Sequence, residues 1–359
     1  MTSSFYCDTV SLQKGYAKRF SFLIPTVPPL GTGKGEPKMD KTTEQILRRR
    51  MHGLCLSRKN PDLLQLSHQL LGMHCWFHRN VVFSALIRGA EVAGWERALV
   101  KTWVHHALHG VAFEDLPDLL ALHADPRPLT DFERQVLAAM EDGVCSRAEF
   151  RLLFAQQYDR QFIERAFSPW GGVFVGLAQK GLVAFRTMTS RDFDLISAEP
   201  RRTPQEVFPE LLRRYFAAYG PATLADAACF FGLQKEKKKL LQGMDLTQYA
   251  RLELEGETYY YLEDGRDMEE IPSITLLSGF DPYLVSYARR AALPPEYKSA
   301  VILKSGICLP TVALDGQAAG LWNIKKGRPW VEFFQPQPQR VKNAAYERVE
   351  EICRRAGGI

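Results

Sequence analysis

The sequence predicts an α+β protein: three tandem winged-helix modules, then a small C-terminal antiparallel β-domain and a terminal helix. Three observations predict it. One stretch, Tyr215 to Leu262, spells a complete helix–helix–helix–hairpin unit. The same order recurs between Phe132 and Ile196, and beyond Ser273 the apolar period changes from helical to strand-like.

The first 38 residues stand apart. Val27-Pro28-Pro29-Leu30-Gly31-Thr32-Gly33-Lys34-Gly35-Glu36-Pro37 has no period that a core can use. Lys34-Gly35-Glu36 is what a purine-rich ribosome-binding sequence yields when read in frame, just before Met39, so residues 1–38 are expected to be disordered or a mis-annotated extension. A phosphate-binding glycine loop is the weaker reading. It lacks a preceding strand and a Ser or Thr after the Lys.

Residues 39–128 are expected to form the first module, with helical stretches at Glu44–Leu54, Pro61–Leu71 and Met73–Ile87 and no clear wing. Residues 129–203 form the second. Phe132–Met140 ends at Asp142-Gly143, and Ser146-Arg147-Ala148-Glu149 is a capping box opening a helix through Ala155. Val173–Ala178 leads to Gly181, and Leu182–Ile196 reads as two short strands around Thr189–Asp192. Residues 204–272 form the third module. Leu211, Leu212, Tyr215 and Phe216 recur at helical spacing up to Gly220-Pro221, and Thr223 caps a helix from Leu224 to Phe231. Gln234–Met244 carries Lys235, Lys237, Lys238 and Lys239, and a hairpin turning at Gly256-Glu257 spans Ala250–Leu262.

Residues 273–359 read as apolar strands at Ile274–Leu277, Ala300–Leu303, Ile307–Leu309, Thr311–Leu314, Ala318–Ile324 and Trp330–Phe334, followed by an amphipathic helix from Arg340 to Arg355.

In a winged helix the third helix enters the major groove while lysines and the wing hold phosphates, so duplex DNA is the expected partner. Basic clusters at Arg48-Arg49-Arg50 and Lys235–Lys239 are the expected DNA contacts; ordinary solvated charge is the alternative. The net charge is only +5 over 359 residues. No apolar run approaches the ~18 residues of a membrane span. Seven scattered cysteines without CxxC pairs suit reduced thiols in a cytoplasmic protein. A monomer without metal or other cofactor is expected.

Several motifs in shared order resemble the AlkZ/YcaQ group of winged-helix DNA glycosylases from Leu47 to the C-terminus. They are Lys101-Thr102-Trp103, Leu108-His109 and Glu114-Asp115-Leu116; Arg214-Tyr215, Ala218 to Thr223 and Asp226; Leu276-Leu277, Gly279 to Tyr283 and Tyr287; and Gly306-Ile307, Pro310 to Val312, Asp315-Gly316 and Gly320-Leu321-Trp322. The resemblance implies a concave DNA-binding face and excision of N-alkylated purines, in some members with unhooking of crosslinks. A cationic N7-alkylpurine is already a good leaving group, so the enzyme has only to stabilise an oxocarbenium-like sugar and place a water.

The family motif resembles Gly-x-Gln-x-Gln or Gly-x-Gln-x-Asp at the start of a helix, and the matching stretch is Gly72-Met73-His74-Cys75-Trp76. His74 takes the first catalytic position, where a neutral imidazole can accept a hydrogen bond from water, with a rate expected to fall as pH drops through the imidazole pKa, ~6.5 if unperturbed. Trp76 takes the second, where an indole can only donate, stack on the base or wedge the duplex. Where the family reads Arg-Gly-Thr, this chain has His105-His106-Ala107. His105, His106 and His109 are candidate site support. Their bland readings are a solvated helix end for the first two and a backbone-bonded core histidine for His109. His74 and His78, four apart, share a helix face if the segment is helical; with no third ligand, no metal is expected. The departures leave two classes of function: a monofunctional glycosylase rebuilt around histidine, or a non-catalytic winged-helix DNA-binding protein.

Overall fold

The computed structural model describes residues 40–105, 107–123, 127–168, 171–233, 239–263, 265 and 270–357. The expectations for residues 1–38 and for Lys235, Lys237, Lys238 and His106 lie outside them.

The chain enters through α1 (Lys41–Gly53), whose first amides are held by the Asp40 carboxylate, and α2 (Leu63–Gln69), capped in the same way by Asp62. The expected third helix does not begin at Met73. Leu71 has φ +54° and Gly72 φ +101°, which ends the helical path, and the chain runs as a short strand β1 (Met73–His74) before α3 (His78–Ile87). A short α4 (Trp95–Ala98) precedes the hairpin of β2 (Val100–Val104) and β3 (Ala107–Val111), and α5 (Leu116–Ala121) closes this part. That hairpin is the element the sequence left undefined.

The second helical group is α6 (Asp131–Glu141), α7 (Arg147–Phe154), α8 (Arg160–Ala166) and α9 (Val173–Gln179). Capping boxes at Thr130/Glu133 and Ser146/Glu149 start the first two, the second of them as expected. Helix α8, capped by Asp159, has no counterpart in the sequence reading. Strands β4 (Val183–Phe185) and β5 (Phe193–Leu195) then join β2 through the pair Lys101–Phe185. The resulting five-stranded sheet has the order β1-β3-β2-β4-β5, so the first two helical groups share one sheet.

The third group is α10 (Pro204–Tyr219), α11 (Leu224–Phe230), a short α12 (Lys239–Gln242) and the separate hairpin β6 (Ala250–Leu254) and β7 (Glu257–Tyr261). Thr203/Glu206 and Thr223/Asp226 are reciprocal capping boxes. The hairpin turns at Glu255-Gly256, both with positive φ, one residue earlier than expected.

The C-terminal part contains β8 (Ile274–Leu277), α13 (Pro282–Val285), α14 (Lys298–Val301), β9 (Thr311–Leu314), β10 (Gln317–Lys325), β11 (Arg328–Phe333) and α15 (Gln339–Ala356). Its antiparallel sheet runs β11-β10-β9-β8, covered by α15 through Ala345, Val349 and Ile352. Asp315-Gly316 and Lys326-Gly327 turn both hairpins with two successive positive φ values, the twist that suits right-handed strands. Two expected strands are absent: Ala300–Leu303 begins inside α14, and Ile307–Leu309 contributes only the isolated bridge between Ile302 and Cys308. A short apolar run does not by itself separate a strand from a buried helical turn.

The motif residues that carried the resemblance are mostly the pins between these parts. Arg88 is fully buried and forks onto Asp281 (2.8 and 3.0 Å), joining α3 to the loop after β8. Tyr219 donates to the Leu70 carbonyl, Tyr287 to that of Tyr219, Tyr283 to Gly316 and Trp322 to Leu277. Arg214 bridges α10 to Asp115 at 3.0 Å.

Candidate functional site

His74 is placed by sheet pairing. It lies opposite His109 on β3, and His109 lies opposite Thr102 on β2, so the three side chains form a row on one face. The rings of His74 and His109 are 4.4 Å apart, and the Phe280 ring stacks on His74 at 5.5 Å. Phe280 comes from the Gly279-Phe280-Asp281 loop, in the left-handed region with φ +56°. The loop is pinned by Asp281, which accepts from Arg88, from the Ser278 amide and hydroxyl, and from the Tyr283 amide. It also presses on α3: a Cβ on Gly279 would lie 2.9 Å from Asn80 Oδ1.

Burial sets the protonation of this row. Desolvation, assisted by His109, holds the His74 imidazole well below the usual range. His109 is pushed down to about 4 by burial, partly offset by hydrogen bonds to backbone. Its Nδ1 donates to the Ala107 carbonyl at 3.1 Å. His74 therefore stays neutral well below the ~6.5 of an unperturbed imidazole, and the acid limb moves down with it. The His74 residue is half-buried, while its Nδ1 is enclosed and has no protein partner among the described residues. A neutral acceptor or donor in an enclosed place is what water placement requires.

The other candidates separate. Trp76 lies in the loop between β1 and α3, half-buried against the core, and beside it Phe77 is 44% exposed. His74 is on a strand and His78 opens a helix, so they share no helix face. His105 does not sit at a solvated helix end. It occupies the β2–β3 turn with φ +49°, buried between Phe230 and Phe231, and donates from Nε2 to the Leu71 carbonyl at 3.2 Å. Its edge meets the His109 ring at 5.6 Å, so it supports the row from behind. His109 has the backbone bond of a core histidine and also packs its ring 4.4 Å from that of His74, nearer than Phe280.

Among the expected DNA contacts, Lys239 is exposed at the start of α12, and Arg48 is half-buried on α1. Arg49 lies over the Tyr261 ring at 4.0 Å, next to Glu263. Arg50 must be withdrawn. It is 1% exposed, stacks on Tyr287 at 3.6 Å and donates to the Pro221 carbonyl, so it ties α1 to the third helical group and presents no charge to solvent. A cluster in sequence spans more than one side of a helix, and here one arginine faces inward.

The chain is a mixed α+β protein in which a neutral imidazole, His74, lies between a five-stranded sheet and a pinned aromatic loop. The family profile described as DNA glycosylase AlkZ-like matches residues 88–354, and the chain belongs to that family. The match begins after His74 and Trp76. An interstrand DNA cross-link repair glycosylase of Streptomyces sahachiroi is 28% identical over 311 residues, covering 75% of this chain and 81% of the relative. The structure of Streptomyces sahachiroi DNA glycosylase AlkZ is similar with a TM-score of 0.71 at 25% identity, over 88% of this chain and 97% of that one. Among the described residues no helix is long and apolar enough to cross a membrane.

Proposed function

We propose that this chain is a DNA repair glycosylase that binds duplex DNA through winged-helix units and hydrolyses the N-glycosidic bond of a cationic N-alkylated purine. It acts as a cytoplasmic monomer and needs no cofactor. Family membership supports the reaction class, and the single observation that carries the site is the enclosed, neutral His74 beside His109 and Phe280. With the base already cationic, departure needs no acid. His74 accepts a hydrogen bond from the attacking water and orients it towards the sugar carbon as the glycosidic bond opens. Phe280 and His109 keep bulk water away and hold the ring in one orientation. The proposed substrates include duplexes carrying interstrand cross-links, in keeping with the name of the Streptomyces relative.

Trp76 favours a second reading, a DNA-binding protein without chemistry, because an indole cannot hold a water through an acceptor. Release of free 7-methylguanine from alkylated duplex DNA decides between them. Under the first reading the wild-type chain turns over and His74→Ala stops release, with duplex affinity kept within a few-fold, because water placement acts in the transition state. Trp76→Gln raises excision if the indole is only a lost half of the site and lowers it if the indole holds the flipped base. A wild-type chain and a Trp76→Gln variant that both bind DNA and release nothing establish the second reading.

A further inference from the structure

A second functional feature lies across the sheet from His74. Lys101, the second residue of β2, is half-buried, and its ammonium stands 4.3 Å over the Phe185 ring. Arg147, the first residue of α7, brings its guanidinium over the same ring at 5.9 Å and over Phe193 at 4.7 Å. Arg191 is exposed in the turn between β4 and β5, the turn whose Ser190 carbonyl Lys101 reaches. Two cations thus share one aromatic platform, with a third in the adjoining turn.

Neither Lys101 nor Arg147 forms an ion pair among the described residues. Lys101 reaches only the Ser190 carbonyl, at 3.3 Å, and Nε and Nη2 of Arg147 are buried without a partner. The acidic groups nearby have other partners, and Glu96 accepts from the Thr189 hydroxyl at 3.4 Å. Glu149 closes the capping box on Ser146, Asp192 and Asp194 face Arg186, and Glu164 faces Arg151. Burial and the neighbouring cations lower the pKa of Lys101 and bring that of Arg147 down to about 10. Gathering half-buried like charges without a counter-ion costs stability, and folds keep such arrangements where an anion is bound.

We propose that Lys101 and Arg147, with Arg191 at the rim, clamp one phosphate of the DNA backbone at the junction of β2, the start of α7 and the β4–β5 turn. This rests on the DNA-binding reading above. A helix start and a hairpin turn are also the parts of a helix-turn-helix unit that face the backbone, and the aromatic floor holds both cationic heads in place without neutralising them. Thr102, next along β2, faces His109 and His74, so Lys101 points away from that row.

The test is the salt dependence of binding to a fluorescent duplex. Losing one phosphate contact lowers the slope of log affinity against log salt by about 0.9, or about eightfold in affinity at 0.1 M salt. Lys101→Met/Arg147→Met is expected to show that fall, and Lys101→Arg/Arg147→Lys, which keeps both charges, to retain the wild-type slope. Wild-type binding with an unchanged slope in the Met pair overturns the clamp alone. A slope lost equally in the charge-keeping pair overturns it too, because packing would then be responsible. A wild-type chain that does not bind duplex DNA overturns both the clamp and the reading on which it rests. Inorganic phosphate serves as the remaining probe at fixed ionic strength. If it raises the melting temperature of wild type but not of the Met pair, while their DNA slopes coincide, the cations hold a free anion and the DNA clamp is refuted.

Discussion

Removing the Asp281 carboxylate tests whether the site depends on a pin far from it in sequence. Asp281 is fully buried and accepts two bonds from Arg88, two from Ser278 and one from the Tyr283 amide, while Arg88 also donates to the Leu54 carbonyl and the Ser84 hydroxyl. Breaking one side of a buried pair leaves an uncompensated charge, a loss of about 3–5 kcal/mol. Asp281→Ala should therefore shift the urea midpoint by several tenths of its wild-type value, since total stability is typically only about 5–15 kcal/mol. Because the same carboxylate shapes the turn that presents Phe280 to His74, base release should fall further than the unfolded fraction accounts for. Arg88→Met/Asp281→Leu, which removes both charges, should recover most of the stability, as replacement of a buried pair by apolar groups is often close to neutral. It should not recover the excision rate, since the caps on Ser278 and Tyr283 stay broken. A single variant losing under about 1 kcal/mol, or a double variant no more stable than either single one, would refute the reasoning.

Acid should weaken the fold through His109. Its folded pKa of about 4 lies below the unfolded value of ~6.5, so the unfolded chain binds more protons between those limits and stability falls as pH falls through that window. The slope approaches about 1.4 kcal/mol per pH unit, roughly 3 kcal/mol in all, and is absent above pH ~6.5; urea unfolding at pH 7 and pH 5 should show it, and His109→Asn should reduce it. The excision rate, measured where the protein stays folded, should be flat from pH 8 to pH 6, because His74 is already neutral there; a half-maximal point near 6.5 would mean that His74 is solvated. Gly72→Ala should lose about 1–3 kcal/mol and lower excision, because φ is +101° and the new Cβ would meet Val111 at 3.2 Å; melting and base release at the same temperature check it.

Local signals carried much of this chain. The Ser146/Glu149 box, the Thr223 cap and the β6–β7 hairpin stand where short-range chemistry puts them, because caps and turns are set by residues within four positions of each other. The motif order identified the family for the same reason that those residues now appear as pins: buried hydrogen bonds between distant elements tolerate few side chains. What sequence could not decide was which partner each segment meets. Met73–Ile87 has a helical apolar pattern, yet its first two residues are drawn into a sheet because β3 offers an unpaired edge and Gly72 permits the turn. Arg50 and Lys101 look alike as charges in a row of letters. Tertiary packing buries the first over Tyr287 and leaves the second unbalanced over Phe185, and only the positions of Asp226, Glu149 and Asp192 decide which charge is neutralised. The titration of His74 is likewise set by His109 and Phe280, residues 35 and 206 positions away along the chain but adjacent in space, since desolvation depends on what surrounds a ring and not on what precedes it.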